Sequence, residues 1–253
     1  MSPAELTLLI AGAIAAGFVQ GLSGFGFSMV AMSIWVWGLP PALAAVMAVF
    51  GSLVGQTVGL FTVRRALSLS ALLPFLVGGL AGIPLGVWLL PRLDAPLFKL
   101  ALGLLLVTTC PAMLLSDRLT RVSLQRPLWQ RLADGAAGLG GGFMGGLGGY
   151  TGVIPTLWCT LRGMDKAAQR SVIQNFNLTT LAVTFAAYVA TGTVTQPMWP
   201  WLPVVALALL VPSLLGARLY HGLSETGFRR VVLGLLTLAG AAMLVAAGPS
   251  VLR

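Results

Sequence analysis

Six stretches of this chain run for about 20 residues almost without charge, the length a helix needs to cross a hydrocarbon core about 30 Å thick. They cover residues 42–63, 68–90, 99–115, 167–190, 198–217 and 231–247. None alternates apolar with polar residues, so a membrane β-barrel is excluded and the pattern predicts an all-α polytopic membrane protein. The composition, 57% hydrophobic and 8% charged, is one that no soluble domain of 253 residues requires. A net charge of +9 does not point to nucleic acid, because the 15 Lys and Arg are scattered through short loops with no basic helix or tail.

The chain also repeats itself. "GFVQGLSGF" from Gly17 matches "GFMGGLGGY" from Gly142, 125 residues later, and the register carries Gly38 onto Gly163. Two units result: 1–115, with a leading segment 4–37 and helices 42–63, 68–90 and 97–115; and 132–253, with a leading segment 132–161 and helices 167–190, 198–219 and 228–247. Between them lies the polar linker 116–131.

Each leading segment is too long for one crossing and contains a glycine cluster that a continuous helix would not tolerate. Read as one broken helix, it gives four crossings per half and distributes Lys and Arg evenly over the two sides. Read as a hairpin folded back at the glycines, it places twelve on one side and leaves Arg92, Lys99 and Arg253 on the other. The second pattern obeys the positive-inside rule. The expected fold is therefore two inverted repeats, each a Gly-tipped broken helical hairpin followed by three transmembrane helices, with the linker in the cytoplasm and both termini outside. The first arms should run about 16 and 13 residues, and the two tips should meet near the membrane centre. The N-terminal run lacks a basic leader region and is expected to remain in the mature protein.

A broken helix leaves amide groups without intrahelical partners, and its second half starts with a positive dipole end that suits an anion. Around the first tip, Gln20, Ser23, Gly24, Phe25, Gly26 and Ser28 are candidates; around the second, Gly149, Tyr150, Thr151 and Gly152. Gly24, Gly26, Gly149 and Gly152 would admit close backbone approach, Ser23 and Thr151 would donate, and Phe25 and Tyr150 would wall the cavity. The competing reading is close helix packing, since Gly17 with Gly21, Gly142 with Gly146, and the Gly78, Gly82, Gly86 series are spaced as small-xxx-small faces. A second polar group, Gln174, Asn175 and Asn177, lies inside an apolar helix, where amides are costly unless paired; glue between helices and contact with substrate are both open.

The six acids fall in loops or at segment ends, so no carboxylate proton relay is expected. Arg162, Lys166 and Arg170 either draw anions to a vestibule or simply mark the inner face. His221 stands alone in a loop, and Cys110 and Cys159 are 49 residues apart without metal-ligand neighbours. With no H-E-x-x-H and no phosphate-loop motif, neither an enzyme nor a cofactor or metal is expected.

"AGFVQGLSGFGFSMVAMSIWVWGLPPALAA" followed by "GGFMGGLGGYTGVIPTLW" resembles the TauE/SafE family of sulfite and organosulfonate exporters over almost the whole chain. The second motif is looser, with Thr151 where the first has Gly26. The resemblance implies a multi-pass carrier of the bacterial inner membrane for sulfite, an organosulfonate or a related organic acid. The partners expected are that anion and the lipid bilayer, not nucleic acid, with a homodimer left open. An anion channel and a non-transporting membrane partner subunit are the rival readings; transport direction and coupling ion are not encoded in any motif.

Overall fold

The first helix begins where its backbone amides find partners. Ser2 Oγ accepts from the Glu5 amide at 3.3 Å while a Glu5 carboxylate oxygen accepts from the Ser2 amide at 2.7 Å, a reciprocal cap with Pro3 in the first turn. It ends at Gly24, whose φ of 72° lies in the left-handed region that a side chain disfavours. In a computed structural model describing residues 1–24, 26–62, 69–115, 122, 126–219 and 225–251, every long apolar run is helical. In chain order the helices are α1 (Pro3–Ser23), α2 (Phe27–Trp35), α3 (Pro41–Thr62), α4 (Leu69–Leu89) and α5 (Ala95–Leu115). They continue with α6 (Pro127–Gly148), α7 (Val153–Leu161), α8 (Lys166–Ala190), α9 (Trp201–Leu219) and α10 (Glu225–Val251). Among the described residues no strand occurs, and seven segments are long and apolar enough to cross a membrane.

Both glycine-rich breaks fold the chain back on itself. Trp35 Nε1 donates to the carbonyls of Leu8 and Leu9, both at 3.1 Å, and Gly38 sits against Leu8, so α2 returns along α1. In the same way Trp158 on α7 reaches Asp134 on α6, and Pro155 lies against Gly141. The arms differ from the expected 16 and 13 residues: α1 has 21 and α2 has 9. At 1.5 Å per residue the first arm is about 31 Å long, enough to span, and the second about 13 Å. The reason is local: the Ser2 cap starts α1 early, and the Gly38-Leu39-Pro40 turn stops α2 early. In the second half, α6 starts at Pro127, inside the expected linker, because proline suits a first helical position.

Across the halves, α1 lies on α9 and α4 lies on α6. Gly17 meets Leu209 and Gly21 meets Ser213, while Gly78, Gly82 and Gly86 meet Gly135, Leu139 and Phe143, so both pairs run parallel. Their backbones touch: a Cβ on Gly142 would strike the Gly79 carbonyl oxygen. The small-residue faces are thus packing seams, distinct from the tip glycines. At the centre α3 contacts α8, with the Phe50 and Phe185 rings 5.4 Å apart. Around these helices Leu73, Val77, Leu207, Leu238 and other large apolar residues stay exposed, as a lipid-facing surface would be.

Candidate functional site

Each tip is ordered by polar groups of its own half. In the first, Gln20 Oε1 accepts from the Phe27 amide at 3.2 Å, capping α2, while its Nε2 donates to the Ser52 carbonyl at 3.5 Å. Ser28 and Ser52 hydroxyls are 2.7 Å apart, and Gln56 Nε2 donates to the Gly24 carbonyl at 3.1 Å. Gly26 (φ 94°) leads directly into α2. In the second half Gly149 (φ 83°) closes α6, Thr151 donates to Asn177 Oδ1 at 2.9 Å, and Gly152 is so close that an added Cβ would lie 2.8 Å from Asn177 Nδ2. Thus α3 and α8 each pin the hairpin before them, with serine and glutamine in one half and asparagine in the other.

Gly24 and Gly149, the glycines that close α1 and α6, face the other half. Gly24 faces Gln174 Nε2, 3.7 Å from where a Cβ would stand; Gly149 faces Ser28 Oγ and Val49. Val49 and Gln174 are equivalent positions under the 125-residue repeat, as are Gly24 and Gly149. The glycines therefore meet the opposite long helix about two turns from its start, rather than one another.

Gln174, unlike the tip residues described above, is not fully satisfied. It is 7% exposed, and its Oε1 has no hydrogen-bond partner in the protein. An orphaned buried acceptor costs about 1–3 kcal/mol, which a ligand with a proton to donate would offset, while Nε2, the atom facing Gly24, can donate to a ligand oxygen. Other residues named from sequence are placed differently. The Ser23 hydroxyl donates to Val19 O at 2.7 Å and Asn175 Nδ2 donates to Ser171 O at 2.8 Å, so both donors turn back onto their own helices. Tyr150 is buried beside Gly148 with its hydroxyl unpartnered. Phe25, like His221, lies outside the described residues.

Two expectations about charge are corrected. Asp134 is not in a loop: it is two turns inside α6 and 3% exposed, accepting from Trp158 Nε1 and Arg162 Nη1, each at 2.7 Å. Arg162 is therefore held in an ion pair at the hairpin base rather than free to gather anions. Asp134 and Arg162 are equidistant from Gly148, and a fold-back there brings such positions together; that arithmetic was available in the sequence. The Ser28–Ser52 pair, Gln56 and the Tyr188 hydroxyl, which donates to Gly146 O at 2.8 Å, carried no comparable signal. Lys166 and Arg170 are exposed at the start of α8.

A curated relative from Haemophilus influenzae, described as a probable membrane transporter protein, is 29% identical over 228 residues, 85% of this chain and 83% of its own length. No solved structure matches. The family model described as sulfite exporter TauE/SafE matches residues 9–243, and the chain belongs to that family.

Proposed function

We propose that this protein is a secondary carrier that moves a small anion, namely sulfite, an organosulfonate or a related organic acid, across the bacterial inner membrane. Family membership and the relative's description as a transporter support the transport role, and neither is an enzyme description. The Gln174 amide beside Gly24 is the observation that carries the site: its Nε2, which faces the tip, is the donor an anion takes, and its unpartnered Oε1 accepts only from a protonated ligand such as hydrogensulfite. The anion sits there against the first hairpin tip, with Gln174 Nε2 and the backbone at Gly26 as its first contacts; Asn177 and Thr151 hold the second tip in register.

The halves are read as inverted repeats, each a hairpin and three transmembrane helices, working singly or as a homodimer with the central linker in the cytoplasm. The antiparallel hairpins, together with the parallel α1–α9 and α4–α6 seams, support opposite orientation of the halves. Rocking along those seams exposes the site alternately to the two sides. Counterflow in proteoliposomes tests this: internal unlabelled sulfite should accelerate uptake of labelled sulfite, saturably, and Gln174→Leu should abolish the effect. Unsaturable flux with single-channel currents would make the protein an anion channel, and flux that needs a copurifying subunit would make it a partner protein.

A further inference from the structure

We propose a second oxyanion station beside the second hairpin tip, built by the hydroxyls of Tyr150 and Thr184, which binds an anion separately from the Gln174 site. It rests on the carrier reading above and extends it from one site to two.

The observation is a pair of spare donors. Thr184 is fully buried on α8 and its Oγ1 has no partner; Tyr150 is 5% exposed and its phenol has none either. Thr184 departs from what threonines in these helices do. Thr57, Thr109, Thr160, Thr180 and Thr237 each donate to the carbonyl four residues back, whereas Thr184 leaves Thr180 O and turns toward α6. Its Oγ1 is 3.8 Å from where a Cβ of Gly145 would stand, and Tyr150 Cζ is 3.7 Å from the same point on Gly148. Residues three apart are neighbours on a helix face, so the Thr184 hydroxyl and the Tyr150 ring border one glycine strip of α6, against which Thr151 Cγ2 and Met32 Cε also pack. One turn beyond Thr184, Tyr188 donates to Gly146 O and fixes α8 against that strip.

The chemistry selects an acceptor. A threonine that ligated a cation would offer lone pairs and still give its proton to its own helix; here neither is engaged, and the free proton, on the threonine and on the phenol alike, is what an anion would use. Two uncharged O–H donors fit oxygens of a sulfite, sulfonate or carboxylate group. Ten residues of α8 separate Gln174 from Thr184, about 15 Å, too far for one such anion to touch both. The stations therefore lie in series, one near each tip.

Calorimetric titration of purified full-length protein with sulfite and with methanesulfonate tests this. Two equivalents are expected in the wild type. Tyr150→Phe and Thr184→Val should each bind one, with the remaining affinity within about twofold of wild type, and Thr184→Ser should restore the second. One equivalent in the wild type, unchanged by either substitution, overturns the second station while leaving the carrier intact. Heat from sodium ions alone that Thr184→Val removes also overturns it, because the group would then be a cation ligand. No binding of either anion by folded wild type would count against the carrier reading itself, and the station with it.

Discussion

The two hairpins share a plan and are secured by different chemistry. At the base of the first, one indole donates to two backbone carbonyls; at the base of the second, an indole and a guanidinium converge on a buried carboxylate. At the tips the weights reverse: the first is tied by Gln20, Ser28, Ser52 and Gln56, the second chiefly by Thr151 and Asn177. The repeat thus specifies where a chain must turn, while the bonds that hold each turn vary between the halves. One consequence is functional. Gln174, beside the first tip but supplied by the second half, is left open on one atom, as the Tyr150 hydroxyl is at the second tip.

The largest way to break this comparison is at the base of the second hairpin. Arg162→Ala strands the buried Asp134 carboxylate and should destabilise the protein by about 3–5 kcal/mol, seen as a lower melting temperature in detergent, with Asp134→Ala/Arg162→Ala recovering part of the loss. Trp35→Phe, at the equivalent end of the first hairpin, removes neutral hydrogen bonds and should cost about 1 kcal/mol. Equal losses would mean that the ion pair is no more than a polar contact.

Glycine substitutions separate seam from tip. Gly142→Ala drives a methyl into the Gly79 carbonyl and should prevent α4 and α6 from docking, giving little folded protein by size-exclusion chromatography. At Gly24→Ala the nearest atom is 3.7 Å away, so the cost is only that of φ 72°, about 1–2 kcal/mol, and folded protein should be recovered. The smallest effect is expected for Ser52→Ala, about 0.5–1 kcal/mol by the same melting assay, since Ser28 loses one hydrogen bond but keeps the Ala48 carbonyl at 3.3 Å.

Sequence reading went furthest where the constraint is periodic or conformational. Charge-free length marked the membrane helices and the glycine clusters at Gly24 and Gly149 marked helix breaks, because both properties belong to a short segment alone; the distribution of Lys and Arg over the whole chain turned the breaks into fold-backs. It failed where a side chain chooses between near neighbours. Ser23 and Asn175 look like site donors by type and position, yet a carbonyl four residues back captures each of them, a matter of rotamer that residue type does not encode. Gln20 reads as a ligand amide and is instead a cap for α2, because the fold-back puts the Phe27 amide within its reach. Asp134 seemed peripheral because the start of α6 was set too late; once α6 begins at Pro127, the carboxylate is inside the helix and must be paired.

The most direct measurement is the thermal stability of wild type and Gln174→Leu over a panel of sulfite, sulfate, sulfoacetate, taurine and short carboxylates, with and without sodium. Removing an orphaned buried amide should leave the ligand-free variant as stable as wild type or more so, while abolishing the stabilisation that a bound anion confers on wild type. A Gln174→Leu protein that keeps the full anion-dependent shift would contradict the placement of the substrate at the first tip.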